Sequence, residues 1–194
     1  MTFGSPIFIR IFKESNELEL WVKREKGYQL FKIYEICCLS GELGPKMKEG
    51  DLQSPEGFYF VGNDQLNPHS KFHLSFNLGY PNLYDRTHDR TGSALMVHGS
   101  CVSAGCFAMS DQRVEEIYTL AEAALRNGQP FFRVHIFPFR MTTDNLAKYK
   151  NSKWLGFWKN LKQGYDLFEV SKIPPDTRVK RKKYVFELPR GGNV

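Results

Sequence analysis

Between Val97 and Asp111 the chain reads VHGSCVSAGCFAMSD, with one histidine, two cysteines and a run of small residues. Three chemistries compete for His98, Cys101 and Cys106: a thiol nucleophile with its base, a metal site, or a disulfide in an oxidising compartment. A free thiol with a pKa near ~8.5 is only about 3% ionised at neutral pH, so it needs help to attack a carbonyl carbon. A neighbouring imidazole supplies that help by taking the proton and leaving an ion pair. The placement suits this division of labour. His98 ends an apolar run, a rigid mount for a base, and Cys106 follows Ser103-Ala104-Gly105, where main-chain N–H groups can turn toward a developing oxyanion. Glycine before the nucleophile permits a sharp bend. A zinc site would use His98, Cys101 and Cys106 with a fourth ligand from Cys37 or Cys38, but H-x2-C and C-x4-C lack a second matching pair. A Cys101–Cys106 disulfide would consume the nucleophile, and a cysteine among small apolar residues can also be inert packing. Local chemistry leaves these readings open.

The elements that must hold this segment are mostly strands. Residues 7–12 (IFIRIF), 18–22 (LELWV) and 29–36 (QLFKIYEI) are rich in branched and aromatic residues, and SPEGFYFV delivers another strand at 58–61. KFHLSFNLG alternates, with Phe72, Leu74, Phe76 and Leu78 on one face and His73, Ser75 and Asn77 on the other. SALMV (93–97) is a short strand ending at His98. One strong helix follows the cysteines, capped by Ser110 or Asp111, patterned by Val114, Ile117, Tyr118, Ala121, Ala124 and Leu125, and ended by Gly128 and Pro130. FFRVHIFPF (131–139) is a buried strand. Short helices are expected over 144–149 and 153–163, the second with a packing stripe of Trp154, Phe157, Trp158 and Leu161.

Bulk properties narrow the classes. The chain has 194 residues, 41% hydrophobic and 25% charged, as expected of one folded domain. No run reaches the roughly 18 apolar residues of a membrane span. The first twenty residues charge up too quickly for a secretory signal, so either the protein is cytoplasmic or a leader was removed. A formal charge of +6 favours anionic partners weakly, and the basic run RVKRKK (178–183) is expected in a charged edge strand rather than a nucleic-acid site. Four cysteines are too few for a disulfide-built scaffold, and at least one of the adjacent Cys37 and Cys38 is expected in packing.

The segment ALMVHGSCVSAGCFAMSD resembles the active-site signature of the L,D-transpeptidase catalytic domain (YkuD) family, and within it the YafK branch. The family pattern is His-Gly at a strand end, then Ser/Thr-His-Gly-Cys, matched here by His98-Gly99 and Ser103-Ala104-Gly105-Cys106. SPEGFYFV, RIFKESNELELWV, LSGELGPKMKEGD and HLSFNLGYPNLYDRTHDRTGSALMVHG support the same resemblance.

The resemblance implies an α+β, mainly β, sandwich: a catalytic domain over 1–140 with a helix after the nucleophile, and a partly helical C-terminal extension over 141–194 packed on it. It implies Cys106 as nucleophile, His98 as general base, the Gly99 carbonyl orienting the imidazole, and the N–H groups of Gly105 and Cys106 as oxyanion hole. Ser103 shapes the pocket, and His73, Tyr84 and Arg86 are assigned to substrate, which reverses a surface reading of His73. No cofactor or metal is implied. The implied substrates are peptidoglycan stem peptides, with murein lipoprotein as a candidate partner, in the periplasm. The implied reaction is acyl transfer or hydrolysis at amides of meso-diaminopimelate. Hydrolysis is ranked over 3-3 cross-linking because Ala104 and Ala108 stand where the family has polar side chains. A non-catalytic wall-binding or zinc-stabilised module is the alternative of a different class. Cys101 has no family role and is expected to be dispensable.

Overall fold

β1 (Ile7–Phe12) is buried along its whole length because it lies at the centre of a sheet covered on both faces. The computed structural model describes residues 2–189. The first sheet has the order β3 (Gly27–Glu35), β2 (Glu17–Arg24), β1, β9 (Phe132–Phe137), β4 (Gly57–Val61), with only β1 and β9 parallel. The second has the order β5 (Leu66–Ser70), β6 (His73–Asn77), β7 (Met96–His98), β8 (Phe107–Ala108), and its last pair is parallel. Ile7, Ile9 and Ile11 of β1 share a core with Phe76, Val97 and Phe107 of the second sheet. Val114, Ile117, Ala121 and Ala124 of α2 (Asp111–Arg126) complete it. The fold is thus the expected mainly β sandwich with its helix directly after the cysteine segment.

The opposite face of the first sheet is equally dry. Phe12, Phe58 and Phe137 lie under Trp158, Leu161 and Tyr165 of α4 (Leu155–Ser171) and Tyr184. Tyr184 belongs to the hairpin of β10 (Asp176–Lys180) and β11 (Lys183–Glu187). Arg10, the one charge in β1, is accommodated there by Glu19 and Glu169, each 2.7 Å away, with its guanidinium over Phe168. Two short helices complete the chain, α1 (Leu83–Thr87) and α3 (Thr143–Lys148). α4 runs well past the expected end at 163. The basic run is not one edge strand: it straddles the hairpin tip, with Arg181 and Lys182 at positive φ. The end of the expected extension, 190–194, lies outside the described residues.

His135 on β9 is the misfit in this layer. It is 1% exposed, packed edge-on between Phe8 and Phe58, and neither ring nitrogen has a partner among the described residues. Burial, with Arg133 and Arg10 adding repulsion, holds its pKa well below 6.5. Below pH 6.5 the unfolded chain therefore binds a proton that the folded chain refuses, and stability falls as pH falls. His135→Phe is expected to flatten that acid slope and to raise stability by about 1 kcal/mol, the desolvation cost of orphaned polar atoms. Urea titrations at pH 5 and pH 8 check both effects.

Candidate active site

The second sheet brings the histidine and the cysteine together. Across the parallel β7–β8 pair His98 stands opposite Ala108, and the Met96 N–H reaches the Cys106 Sγ at 3.4 Å. Cys106, directly before β8, is therefore diagonal to His98 across the pair, roughly 7 Å away at the backbone. Ala94 at φ 53 breaks the extended run before Met96, so the strand expected over 93–97 shortens to Met96–His98 and includes the histidine.

His98 is 2% exposed and held on two sides. Its Nδ1 donates to the Gly99 carbonyl at 2.6 Å, which leaves Nε2 as the basic nitrogen, and the Phe72 ring stacks on the imidazole at 4.7 Å. Alternation had put Phe72 on the core face. His73 instead adopts φ 70, which breaks the period and turns Phe72 toward the histidine. Gly99 has no room for a side chain: a Cβ would come within 2.6 Å of Asp111 Oδ1 and 2.7 Å of the Phe72 carbonyl.

The turn into Cys106 is fixed by hydroxyls. Ser103 Oγ donates to the Cys106 carbonyl at 2.8 Å and accepts the Gly105 N–H at 3.2 Å, while Ser54 Oγ reaches the same carbonyl at 3.4 Å. Gly105 sits at φ +114, and a Cβ there would press on the Gln53 carbonyl and Leu95. Of the two donors expected in the oxyanion hole, the Gly105 N–H is thus engaged with Ser103. The Cys106 N–H meets no acceptor among the described residues.

The other expected residues are scattered. His73 Nε2 lies 2.7 Å from Glu115 on α2, at the rim. Tyr84 does not face a cleft: it is 4% exposed, stacked on Tyr184 at 4.1 Å and on His88 at 4.2 Å. An aromatic with both faces covered is core, so the substrate assignment of Tyr84 is withdrawn. Arg86 is exposed and donates to the Pro81 carbonyl at 2.7 Å.

Cys101 is not bonded to Cys106. It is bonded to Cys37, with Cα atoms 5.4 Å apart across 64 positions of sequence. That bond removes two sulfurs from any zinc site, and among the described residues no cluster of three His, Cys, Asp or Glu side chains is placed to hold a metal. Cys106 and Cys38 remain thiols.

Comparison with known proteins decides the family. The model of the L,D-transpeptidase catalytic domain (YkuD) matches residues 7–179. The chain is 48% identical over 191 residues to YafK of Escherichia coli (strain K12), named as an L,D-transpeptidase, covering 98% of this chain and 78% of that protein. The chain belongs to the L,D-transpeptidase catalytic domain family. The Escherichia coli O157:H7 YafK gives the same identity and coverage. Among solved structures, the helical cell shape determining protein Pgp2 from Campylobacter jejuni superposes with a TM-score of 0.55. That match covers 90% of this chain and 72% of Pgp2 at 18% identity, a likeness of fold.

The electrostatics around Cys106 and His98 differ from a preformed ion pair. Burial pushes the Cys106 thiol up, against weaker downward pulls from the Met96 N–H and the Lys46 ammonium. Burial also lowers His98, against the Gly99 hydrogen bond, which raises it. Both groups rest neutral at pH 7, and the thiol's other contact is the Ala94 carbonyl at 3.7 Å. For Cys106 to act as a nucleophile its proton would have to pass to a base such as His98 Nε2, and Sγ would have to turn away from Ala94. Alkylation of Cys106 by iodoacetamide in the free enzyme is accordingly expected to climb with pH beyond the ordinary thiol midpoint. A rate flat from pH 6 to pH 8 would instead reveal a standing thiolate.

Lys46 was invisible to pattern reading because a lysine in a loop passes for surface. It is 4% exposed, bound to Asp51 at 2.5 Å and to the Lys48 carbonyl at 3.0 Å.

Proposed function

We propose that this L,D-transpeptidase-family chain uses Cys106 to cleave amides at meso-diaminopimelate in peptidoglycan stem peptides, with hydrolysis ahead of cross-linking. One observation carries the reading. A thiol lies at the Met96 N–H, two residues before an imidazole on the same strand that is held by the Gly99 carbonyl with Nε2 left as base, and the Cys106 N–H is unengaged among the described residues.

In the proposed reaction Sγ attacks the carbonyl on the L side of the amide while Nε2 takes the thiol proton. The oxyanion forms at the Cys106 N–H. Collapse expels the amine, which leaves with the proton from the imidazolium, and a thioester remains. Water, deprotonated by Nε2, then adds to the thioester. The stem leaves as a carboxylic acid that ionises to solvent, and the imidazolium returns its proton to the expelled thiolate. An amine in place of water gives a cross-link or a protein attachment. Ala104 and Ala108 remove polar groups beside the nucleophile and favour water in this reading, with murein lipoprotein as the candidate released partner. The Cys37–Cys101 bond supports an oxidising compartment such as the periplasm. No helix among the described residues is long and apolar enough to cross a membrane.

Mass spectrometry of wall fragments incubated with the wild type, with Cys106→Ala as blank, tests the reading. Shortened stems or released lipoprotein peptides are expected. Cross-linked dimers alone would shift the reading to 3-3 transpeptidation, and masses identical to the blank would defeat it.

A further inference from the structure

We propose that the Cys37–Cys101 disulfide is a positioning device for the nucleophile, so that opening it slows acylation without unfolding the protein. The inference rests on Cys106 being the acylated residue.

The segment from Cys101 to Ala104 carries the chain into the nucleophile, yet none of its main-chain N–H or C=O groups forms a backbone hydrogen bond among the described residues. Cys101, Val102 and Ala104 are exposed. Upstream the chain is tied at Ser100, whose N–H meets Asp111 Oδ1 at 2.7 Å and whose carbonyl accepts the Ser110 N–H at 2.9 Å. Downstream it is tied at Ser103 Oγ and then at Ala108. Between those ties the disulfide is the one covalent anchor.

Its far end is what makes the anchor specific. The N–H groups of both Cys37 and Cys38 donate to the Ala108 carbonyl, at 2.8 and 3.1 Å, and the Ala108 N–H returns to the Cys38 carbonyl at 2.9 Å. Residues 101–108 are therefore closed into a ring: covalent along the chain, hydrogen-bonded from Ala108 to Cys37 and Cys38, and closed by sulfur back to Cys101. Cys106 lies within it. Backbone freedom in 101–104 would pass directly to Gly105 and to the Cys106 N–H, the group left to meet the oxyanion. A displacement of ~1 Å at a reacting group is enough to cost on the order of 10²-fold in rate.

The bond sits at the surface, since Cys37 and Cys101 are both exposed, and a water-soluble phosphine can reach it. Phosphorus attacks one sulfur and expels the other as a thiolate. Water then hydrolyses the thiophosphonium, giving the second thiol and the phosphine oxide.

The test follows acylation of Cys106 by a carbapenem, resolved by mass spectrometry into a binding constant and a first-order acylation rate. It compares untreated enzyme, phosphine-reduced and desalted enzyme, and the Cys37→Ala/Cys101→Ala variant, with circular dichroism on each. The expected result is a fall of about 10- to 100-fold in the acylation rate of the reduced and doubly substituted proteins. Native circular dichroism and a binding constant within about threefold should accompany it. An unchanged rate overturns the inference while leaving Cys106 as nucleophile. Loss of the folded spectrum also overturns it, because the bond would then be a global staple. Untreated enzyme that is not acylated at Cys106 would defeat the functional reading itself.

Discussion

Replacing His98 with glutamine is expected to slow acylation of Cys106 by about 10²- to 10⁴-fold at neutral pH, the usual range for losing a general base. Glutamine can keep the hydrogen bond to the Gly99 carbonyl but cannot accept the thiol proton. The pH profile separates this cause from simple misplacement. In the wild type the base must be unprotonated, and burial beneath Phe72 holds its pKa below 6.5. The wild-type rate should stay level as pH falls through 6.5 and decline only further down. In His98→Gln only the pre-ionised thiolate can react, and burial raises that thiol. The variant's rate should climb about tenfold per pH unit across pH 7 to 9, so its deficit shrinks as pH rises. A deficit constant with pH would mean that His98 orients the loop rather than moves a proton.

The pair His98 and Cys106 was legible because motif and strand-end placement agreed, and the sandwich was legible because its strands are buried and branched. What escaped the sequence did so for physical reasons. Phe72 escaped because one residue at positive φ, His73, rotates everything before it out of the alternation. The Cys37–Cys101 pairing escaped because 64 residues separate partners that only the tertiary fold brings together. Tyr84 misled because an aromatic in a motif-like stretch has the same appearance whether it faces substrate or, as here, fills a stack between Tyr184 and His88. Lys13 and Lys46 escaped because charge is read as exposure. Lysine is almost never fully buried unless paired, and both are paired here.

Lys13 is the more consequential of the two, and Lys13→Met is expected to destabilise the protein by about 3–5 kcal/mol. Its ammonium lies within 3.0 Å of the carbonyls of Glu42, Gly44 and Ser54 and of the Glu56 carboxylate. Glu56 is fully buried and also accepts the Gly44 N–H at 2.6 Å and Trp158 Nε1 at 2.8 Å. The pair thus gathers both ends of the 42–56 loop against the end of β1 and against α4. Methionine fills the same volume but strands a buried carboxylate and three carbonyls, and the unpaired charge dominates the cost. Removing both charges in Lys13→Met/Glu56→Leu should cost less than the two single changes together, because no lone ion is left. The loop also carries Ser54 and Gln53, whose oxygens back the Cys106 carbonyl and Gly105. Acylation should therefore slow in Lys13→Met even at temperatures where it remains folded. Urea denaturation of the wild type, both single variants and the double variant checks the energies. A loss below about 1 kcal/mol for Lys13→Met would mean that water replaces the ammonium and that the loop is held by other contacts.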